Sequence, residues 1–146
     1  MVNIMKDQLR ILCADDVDTC EMVSATLGVS GIEVTAAHTS SEAWRLAQTE
    51  YFDLYLLETR FSDGDGFGLC RRIHEFAPRS PIVFYSGDAF PVDRQKGLAA
   101  GAAVYLVKPH FDDLALTVLQ SVENTEKNSP IPLCNPPQTY NAPLAS

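Results

Sequence analysis

Positive charge is scarce in this chain. Its 146 residues hold 11 lysines and arginines against 19 aspartates and glutamates, a net charge of -8. A surface of that sign repels phosphate backbones and anionic lipid headgroups, so neither nucleic acid nor a membrane surface is an expected partner. Long apolar runs are missing too, and none approaches the roughly 20 residues that span a bilayer. The opening residues, MVNIMKDQLR, hold no apolar stretch of the kind that directs secretion. Cysteine is sparse: Cys13, Cys20, Cys70 and Cys134 form no CxxC pair and stand at no metal-ligand spacing with a histidine. Cys13 lies within an apolar run, as a buried thiol does. These absences point to a reduced, cytoplasmic protein. What remains is 46% hydrophobic and 21% charged, the proportions of one globular domain of this length.

Apolar and amphipathic segments alternate along the chain. Ile11 to Ala14 is a short apolar run ending at Asp15-Asp16, and it reads as a buried strand. An amphipathic stretch from about Asp18 to Leu27 follows and stops near Gly28 and Gly31. Ile32 to Ala36 is a second strand. Thr39 and Glu42 form the capping pattern T-x-x-E, opening a helix with Ala43, Leu46 and Ala47 inward. Leu54 to Leu57 is a third strand, apolar throughout and therefore central. The loop Ser62-Asp63-Gly64-Asp65-Gly66 leads into a helix through Leu69, Ile73 and Phe76, ended by Pro78 and Pro81. Ile82 to Tyr85 is a fourth strand, ending at Ser86-Gly87. A helix from Pro91 to about Ala100 has proline at its start. Val104 to Val107 is a fifth strand, and Phe111, Leu114, Ala115, Val118 and Val122 recur at helical spacing. Continuous apolar strands alternating with helices predict an α/β fold, a doubly wound five-stranded parallel sheet with helices on both faces. Residues 1–8 read as an extension and 9–126 as the domain. Residues 127–146, with five of the nine prolines, read as a disordered tail or a docking peptide.

In such sheets, ligands bind beyond the carboxyl ends of the strands. Those ends carry Asp15 and Asp16, then Glu58, Ser86 and Lys108, the last followed by Pro109. Taken singly, an Asp pair at a strand end is a capping feature and a lysine before proline is surface. Taken together, three carboxylates, a hydroxyl and an ammonium converge on one edge. Clustered carboxylates repel unless a cation or proton intervenes. An oxygen-rich set of this size suits Mg²⁺, with Lys108 and Ser86 left to hold oxygens of a phosphoryl group.

This constellation resembles the receiver domain of two-component response regulators, over about residues 9 to 123. Asp15-Asp16 matches the family's metal-binding acids, Ser86 its switch hydroxyl, Tyr105 its aromatic switch position, and Lys108-Pro109 its Lys-Pro with a cis peptide bond. Ala99-Ala100-Gly101-Ala102 resembles the A-x-G-A before the last strand. The resemblance implies a flavodoxin-like sheet of strand order 2-1-3-4-5. It implies Asp15, Asp16 and position 58 as ligands for Mg²⁺. It also implies partners among signalling proteins, a histidine kinase, another regulator or an effector, and self-pairing through the fourth helix, fifth strand and fifth helix. Leu116 and Leu119, off the main stripe of the last helix, either join that surface or widen the core.

One departure bears on mechanism. Asp53-Leu54-Tyr55-Leu56-Leu57 leads to Glu58 where the family carries its phosphoacceptor aspartate, and Ser62 replaces a proline common in the next loop. Phosphoryl transfer to a carboxylate is positional chemistry, and a shift of order 1 Å costs about a hundredfold. Glutamate's extra methylene moves the carboxylate by about that much. Phosphorylation-independent signalling through protein–protein interaction is therefore expected. Either Glu58 imitates phosphoaspartate, or it merely abolishes phosphorylation; either it helps hold Mg²⁺, or it pairs with Lys108. Two rivals stand beside this. Asp16-Val17-Asp18-Thr19 also reads as the D-x-D-x-T of haloacid-dehalogenase-like Mg²⁺-dependent phosphatases, and a receiver still weakly phosphorylated remains an alternative. No histidine among His38, His74 and His110 has a patterned neighbour, and Trp44 reads as helix packing.

Overall fold

Five short, mostly apolar runs form the sheet. A computed structural model describes residues 8–109 and 112–127, with the side chains of 126 and 127 outside the description. The chain runs β1 (Arg10–Ala14), α1 (Val17–Gly28), β2 (Glu33–Ala37), α2 (Ser40–Thr49), β3 (Leu54–Leu57), β4 (Arg60–Phe61), β5 (Gly64–Asp65) and α3 (Gly66–Phe76). It continues through β6 (Ile82–Ser86), α4 (Pro91–Ala99), β7 (Val104–Val107) and α5 (Leu114–Lys127). The five-stranded sheet is parallel throughout, in the order β2-β1-β3-β6-β7. Counting only its own strands, this is the expected 2-1-3-4-5. N-terminal residues 1–7, His110, Phe111, Cys134 and the proline-rich segment lie outside the described residues.

Both faces of the sheet are covered, which is why every residue of β3 and β6 is buried. On one face Leu12, Tyr55, Leu57 and Phe84 pack against Ala43 and Leu46 of α2, and Leu69 and Ile73 of α3. On the other, Ile11, Leu54, Leu56 and Val83 pack against Val23 and Leu27 of α1, and Leu114, Val118 and Val122 of α5. Trp44 is half-buried between α2 and α3, edge-on to Phe76 at 5.7 Å, with the Arg72 guanidinium 5.1 Å from its ring. Among the described residues no helix is long and apolar enough to cross a membrane.

Helix starts follow the sequence with one refinement. Thr39 accepts the Glu42 N–H at 3.0 Å, but the Glu42 carboxylate reaches the His38 N–H at 2.9 Å, one residue earlier than a reciprocal cap. The loop expected at residues 62–66 is instead the turn of a hairpin, in which Arg60 pairs with Asp65 and Phe61 with Gly64. Two-residue strands are too short to show a periodicity. Asp63, at the hairpin tip, accepts the Ser40 and Ser41 N–H groups at 2.8 and 3.0 Å, pinning the tip to the start of α2. That carboxylate stabilises orphan donors at a helix N-terminus.

Gly66 closes the hairpin onto β3. A Cβ there would lie 2.0 Å from the Glu58 carbonyl oxygen and 2.9 Å from Thr59 Cα, so no other residue fits without moving the backbone that carries Glu58. Gly66→Ala is expected to lower unfolding free energy by about 1–3 kcal/mol. Gly28→Ala, in open space at the end of α1, should raise it by up to about 1 kcal/mol. Urea unfolding of the two variants checks the pair, and equal effects would contradict the packing argument.

Candidate functional site

Parallel pairing in register delivers the strand ends to one edge. The Asp15 N–H bonds the Ala37 carbonyl, the Glu58 N–H bonds the Ala14 carbonyl, and the Lys108 N–H bonds the Ser86 carbonyl, at 2.8–3.0 Å. Each functional side chain thus leaves the sheet one residue past the hydrogen-bonded ladder. They face a cleft of about 570 Å³ lined by Asp15, Asp16, Glu58, Ser86 and Lys108, with His38 and Arg60 at its sides. The peptide bond between Lys108 and Pro109 is cis.

Lys108 lies at the centre. Its ammonium donates to Glu58 Oε1 at 2.8 Å and sits 3.0 Å from Asp15 Oδ2. Burial alone lowers a lysine pKa, but these two carboxylates outweigh it and hold Lys108 above the ordinary lysine range. The two acids share the cation unequally. Burial dominates at Asp15, whose pKa is raised despite Lys108 and the Asp16 N–H. Burial also opposes ionisation at Glu58, but Lys108, the Thr59 N–H and Ser86 together outweigh it and lower the pKa. Asp15 is the more enclosed of the two, and Glu58 the better supplied with donors.

The second oxygen of Glu58 reaches a hydroxyl cluster. Oε2 accepts the Thr59 N–H at 2.6 Å and the Ser86 hydroxyl at 2.8 Å. Thr59 Oγ1 lies 2.9 Å from Ser86 Oγ and 2.8 Å from Asp88 Oδ2. Two hydroxyl protons therefore face two carboxylates. Assigning the Ser86 proton to Glu58 and the Thr59 proton to Asp88 gives each carboxylate one. Asp88 also takes both Arg60 Nε and Nη2, at 3.0 and 3.2 Å, and Thr59 and Arg60 together lower its pKa. Its N–H donates to Ser86 Oγ at 3.0 Å, and its carbonyl accepts the Tyr105 hydroxyl at 2.7 Å. Tyr105 is turned inward, 2% exposed, against Phe84.

Asp16 does something different from its neighbours. Its carboxylate accepts the Thr19 N–H at 2.7 Å and caps α1, and that bond lowers its pKa. Asp15 and Glu58 are turned to Lys108, so among the described residues no three acids, histidines or cysteines converge as a metal cage. With Asp15 and Glu58 on Lys108 and Asp16 on the Thr19 N–H, the carboxylates in this arrangement form no cage for Mg²⁺.

Sequence reasoning found Asp15, Glu58, Ser86 and Lys108, which the structure joins one to the next through Lys108 and Glu58, and Tyr105, which it links through Asp88. It missed Thr59, Asp88, Arg60 and His38. Thr59 and Asp88 stand one and two residues beyond Glu58 and Ser86, so extending attention past each strand end would have found them. His38 donates from Nδ1 to the Asp15 carbonyl at 2.9 Å, which raises its pKa and fixes its tautomer. Arg60 carries no local signal.

Comparison with known proteins identifies the family. A family model described as the response regulator receiver domain matches residues 11–119. Transcriptional regulatory protein ZraR of Klebsiella oxytoca is 30% identical over 128 residues, 86% of this chain but 29% of that protein. The gliding motility regulatory protein of Myxococcus xanthus is 35% identical over 104 residues, 69% of this chain and 13% of that protein. The chain thus spans less than a third of the length of these curated relatives. A crystal structure of a CheY-like response regulator receiver domain protein from Methanospirillum hungatei JF-1 has TM-score 0.78 at 28% identity, covering 83% of this chain and 98% of that one. The phosphatase alternative needed Asp16 as nucleophile, and it loses its footing to that residue's capping role and to the family match. Sheet order and sequence relationship converge, and the chain belongs to the receiver domain family of two-component response regulators.

Proposed function

We propose that this receiver signals without being phosphorylated, because Glu58 occupies the phosphoacceptor position and engages the switch residues itself. The observation that carries this reading is the division of the Glu58 carboxylate: one oxygen on Lys108 at 2.8 Å, the other on Ser86 at 2.8 Å. Those two groups are the ones a phosphoryl oxygen would otherwise need. Glutamate's extra methylene brings its oxygens out to them. The same reach leaves no oxygen of the carboxylate unengaged for in-line attack on a phosphodonor. Tyr105, held inward on the Asp88 carbonyl, goes with the active-like arrangement of the switch. Of the two roles open to Glu58, imitation of phosphoaspartate is the one this geometry favours. Mg²⁺ is dispensable to the state proposed, because Lys108 already supplies the cation between Asp15 and Glu58.

The protein acts by binding other signalling proteins. We assign that contact, with a kinase, another regulator or effector, or a second copy of the chain, to the face made by α4, β7 and α5. Val92 and Leu98 on α4, and Leu116 and Leu119 on α5, are large apolar side chains left exposed there. Leu116 and Leu119 thus serve this surface rather than the core.

Incubation with acetyl phosphate and Mg²⁺ is expected to leave the protein unshifted on a Phos-tag gel. Glu58→Asp, which withdraws the carboxylate by about 1 Å, should gain an acid-labile, Mg²⁺-dependent phosphate. Acid-labile phosphate on Glu58 itself would establish a weakly phosphorylated receiver instead.

The pKa directions give a second test. Glu58 is lowered in the folded state, so its contribution to stability is present above its unfolded value, about 4.3, and is lost as pH falls through the folded value. Glu58→Gln should cost about 1–3 kcal/mol at pH 7. The gap from the parent should narrow below about pH 4. Denaturant melts across pH read this, and a gap constant down to pH 3 would remove Glu58 from the ion pair.

Leu98→Glu and Leu116→Glu are expected to weaken self-association in sedimentation velocity without lowering thermal stability, because both side chains already face solvent. A loss of stability with unchanged association would return these residues to the core.

A further inference from the structure

Two thiols unused by the signalling site lie in contact beneath it. Cys13 is the fourth residue of β1, and Cys20 the fourth of α1. Their sulfurs are 3.7 Å apart, within the core on the α1 and α5 side of the sheet. Both cysteines are free, with 1% and 3% of their surface exposed. Cys20 Sγ also lies 3.4 Å from the Cys13 carbonyl and 3.5 Å from the Asp15 carbonyl. Only Asp15 and Asp16 separate β1 from α1. A disulfide needs the sulfurs at about 2.05 Å, so the two side chains must turn towards each other to form one.

We infer that Cys13 and Cys20 form a reversible thiol–disulfide site whose oxidant is a small peroxide. In the first step a sulfur lone pair of Cys20 attacks one oxygen of hydrogen peroxide. The O–O bond breaks, and Cys20 sulfenic acid and water result. In the second, the Cys13 sulfur attacks the Cys20 sulfur, the S–O bond breaks, and a second water leaves with the Cys13 proton. Two thiols lose one electron each, and the peroxide gains two. Cys20 reacts first because it is the nearer to solvent: Asp16, Val17 and Asp18, just before it, are exposed at the start of α1. Helix ends open locally at low free-energy cost, and a peroxide needs little more room than a water. Bulky thiols such as glutathione need much more, so burial selects the oxidant. The bond formed would tie α1 to the strand that presents Asp15, whose carbonyl lies against Cys20 and accepts from His38.

The test uses the full chain, reduced and then treated with hydrogen peroxide. Trypsin cuts after Arg10 and Arg45, so Cys13 and Cys20 fall in one peptide. The expected result is a loss of about 2 Da in that peptide, one S–S bond in place of two S–H bonds. Both cysteines should then resist alkylation under denaturing conditions and regain it after dithiothreitol. Met22 in the same peptide can take up oxygen, but its sulfoxide leaves both thiols open to alkylation, so the alkylation count separates the two. Cys20→Ser should abolish the loss. Cys70→Ser should retain it, because Cys70 lies on the opposite face of the sheet. Mapping of the unsubstituted chain decides the matter even where a variant folds poorly. Cys13 and Cys20 both still alkylatable after peroxide, sulfinic or sulfonic acid without a cross-link, or disulfides made only through Cys70 or Cys134 would each overturn the assignment.

Discussion

One ammonium makes the edge of this sheet tenable. Parallel pairing brings Asp15 and Glu58 to neighbouring strand ends whether or not their charges agree, and both are largely removed from water. Two carboxylates so placed repel, and burial adds a desolvation penalty to each. Lys108, one residue past β7, reaches both at 2.8 and 3.0 Å. Its ammonium also lies over Tyr85, with Nζ 5.5 Å from the ring centroid. The position of Lys108 depends in turn on its N–H bond to Ser86, so the cation is held by the same strand that supplies the hydroxyl. Remove the cation and the edge would have to protonate or spread apart.

From that ion pair, a continuous path of hydrogen bonds runs to the far side of β6. Glu58 takes Ser86, Ser86 takes the Asp88 N–H, and the Asp88 carbonyl takes Tyr105. Thr59 runs parallel to it, joining Glu58 to the Asp88 side chain. Thr59, Ser86 and Tyr105 are enclosed, while Asp88, the link between Ser86 and Tyr105, is half-buried in the loop after β6. A change in where the Glu58 oxygens sit is therefore felt at Tyr105, beneath α4, where Gly97 leaves room for the ring; a Cβ there would come within 2.8 Å of it. This is a physical route from the cleft to the exposed apolar face.

Much of this was legible beforehand, for a definite reason. Buried parallel strands must be apolar on both faces, so β3 and β7 were bounded in the sequence at the residues where the structure bounds them. The first polar residue after each run then marks the strand end, which is how Asp15, Glu58, Ser86 and Lys108 stand out. The same logic has no purchase on β4 and β5, whose pairing is set by a two-residue turn and by Asp63 capping a helix elsewhere in the chain. Asp16 shows the limit from the other side. Two adjacent acids look alike in sequence, yet one faces Lys108 and the other turns to the Thr19 N–H, because residue 16 is where the backbone leaves the strand and enters α1. Side-chain pairs that join separate strand ends, such as Thr59 with Asp88 and Arg60 with Asp88, have no spacing to betray them.

The substitution at position 58 can then be weighed by what each group can supply. A phosphoryl group brings about -1.5 to -2 charges and three acceptor oxygens, whereas glutamate brings one charge and two oxygens. If the state depended on charge, glutamate would be a weak imitation, since Lys108 already divides itself between Glu58 and Asp15. The contacts beyond Lys108 depend on reach instead. Ser86 and the Thr59 N–H need an acceptor at the right distance, and Tyr105 needs only the Asp88 carbonyl, a neutral group. A side chain one methylene longer than aspartate meets those distances without carrying a phosphate. Under the role proposed for Glu58, geometry is thus the part of phosphorylation that the carboxylate would replace, and it is the part on which this hydrogen-bonded path depends.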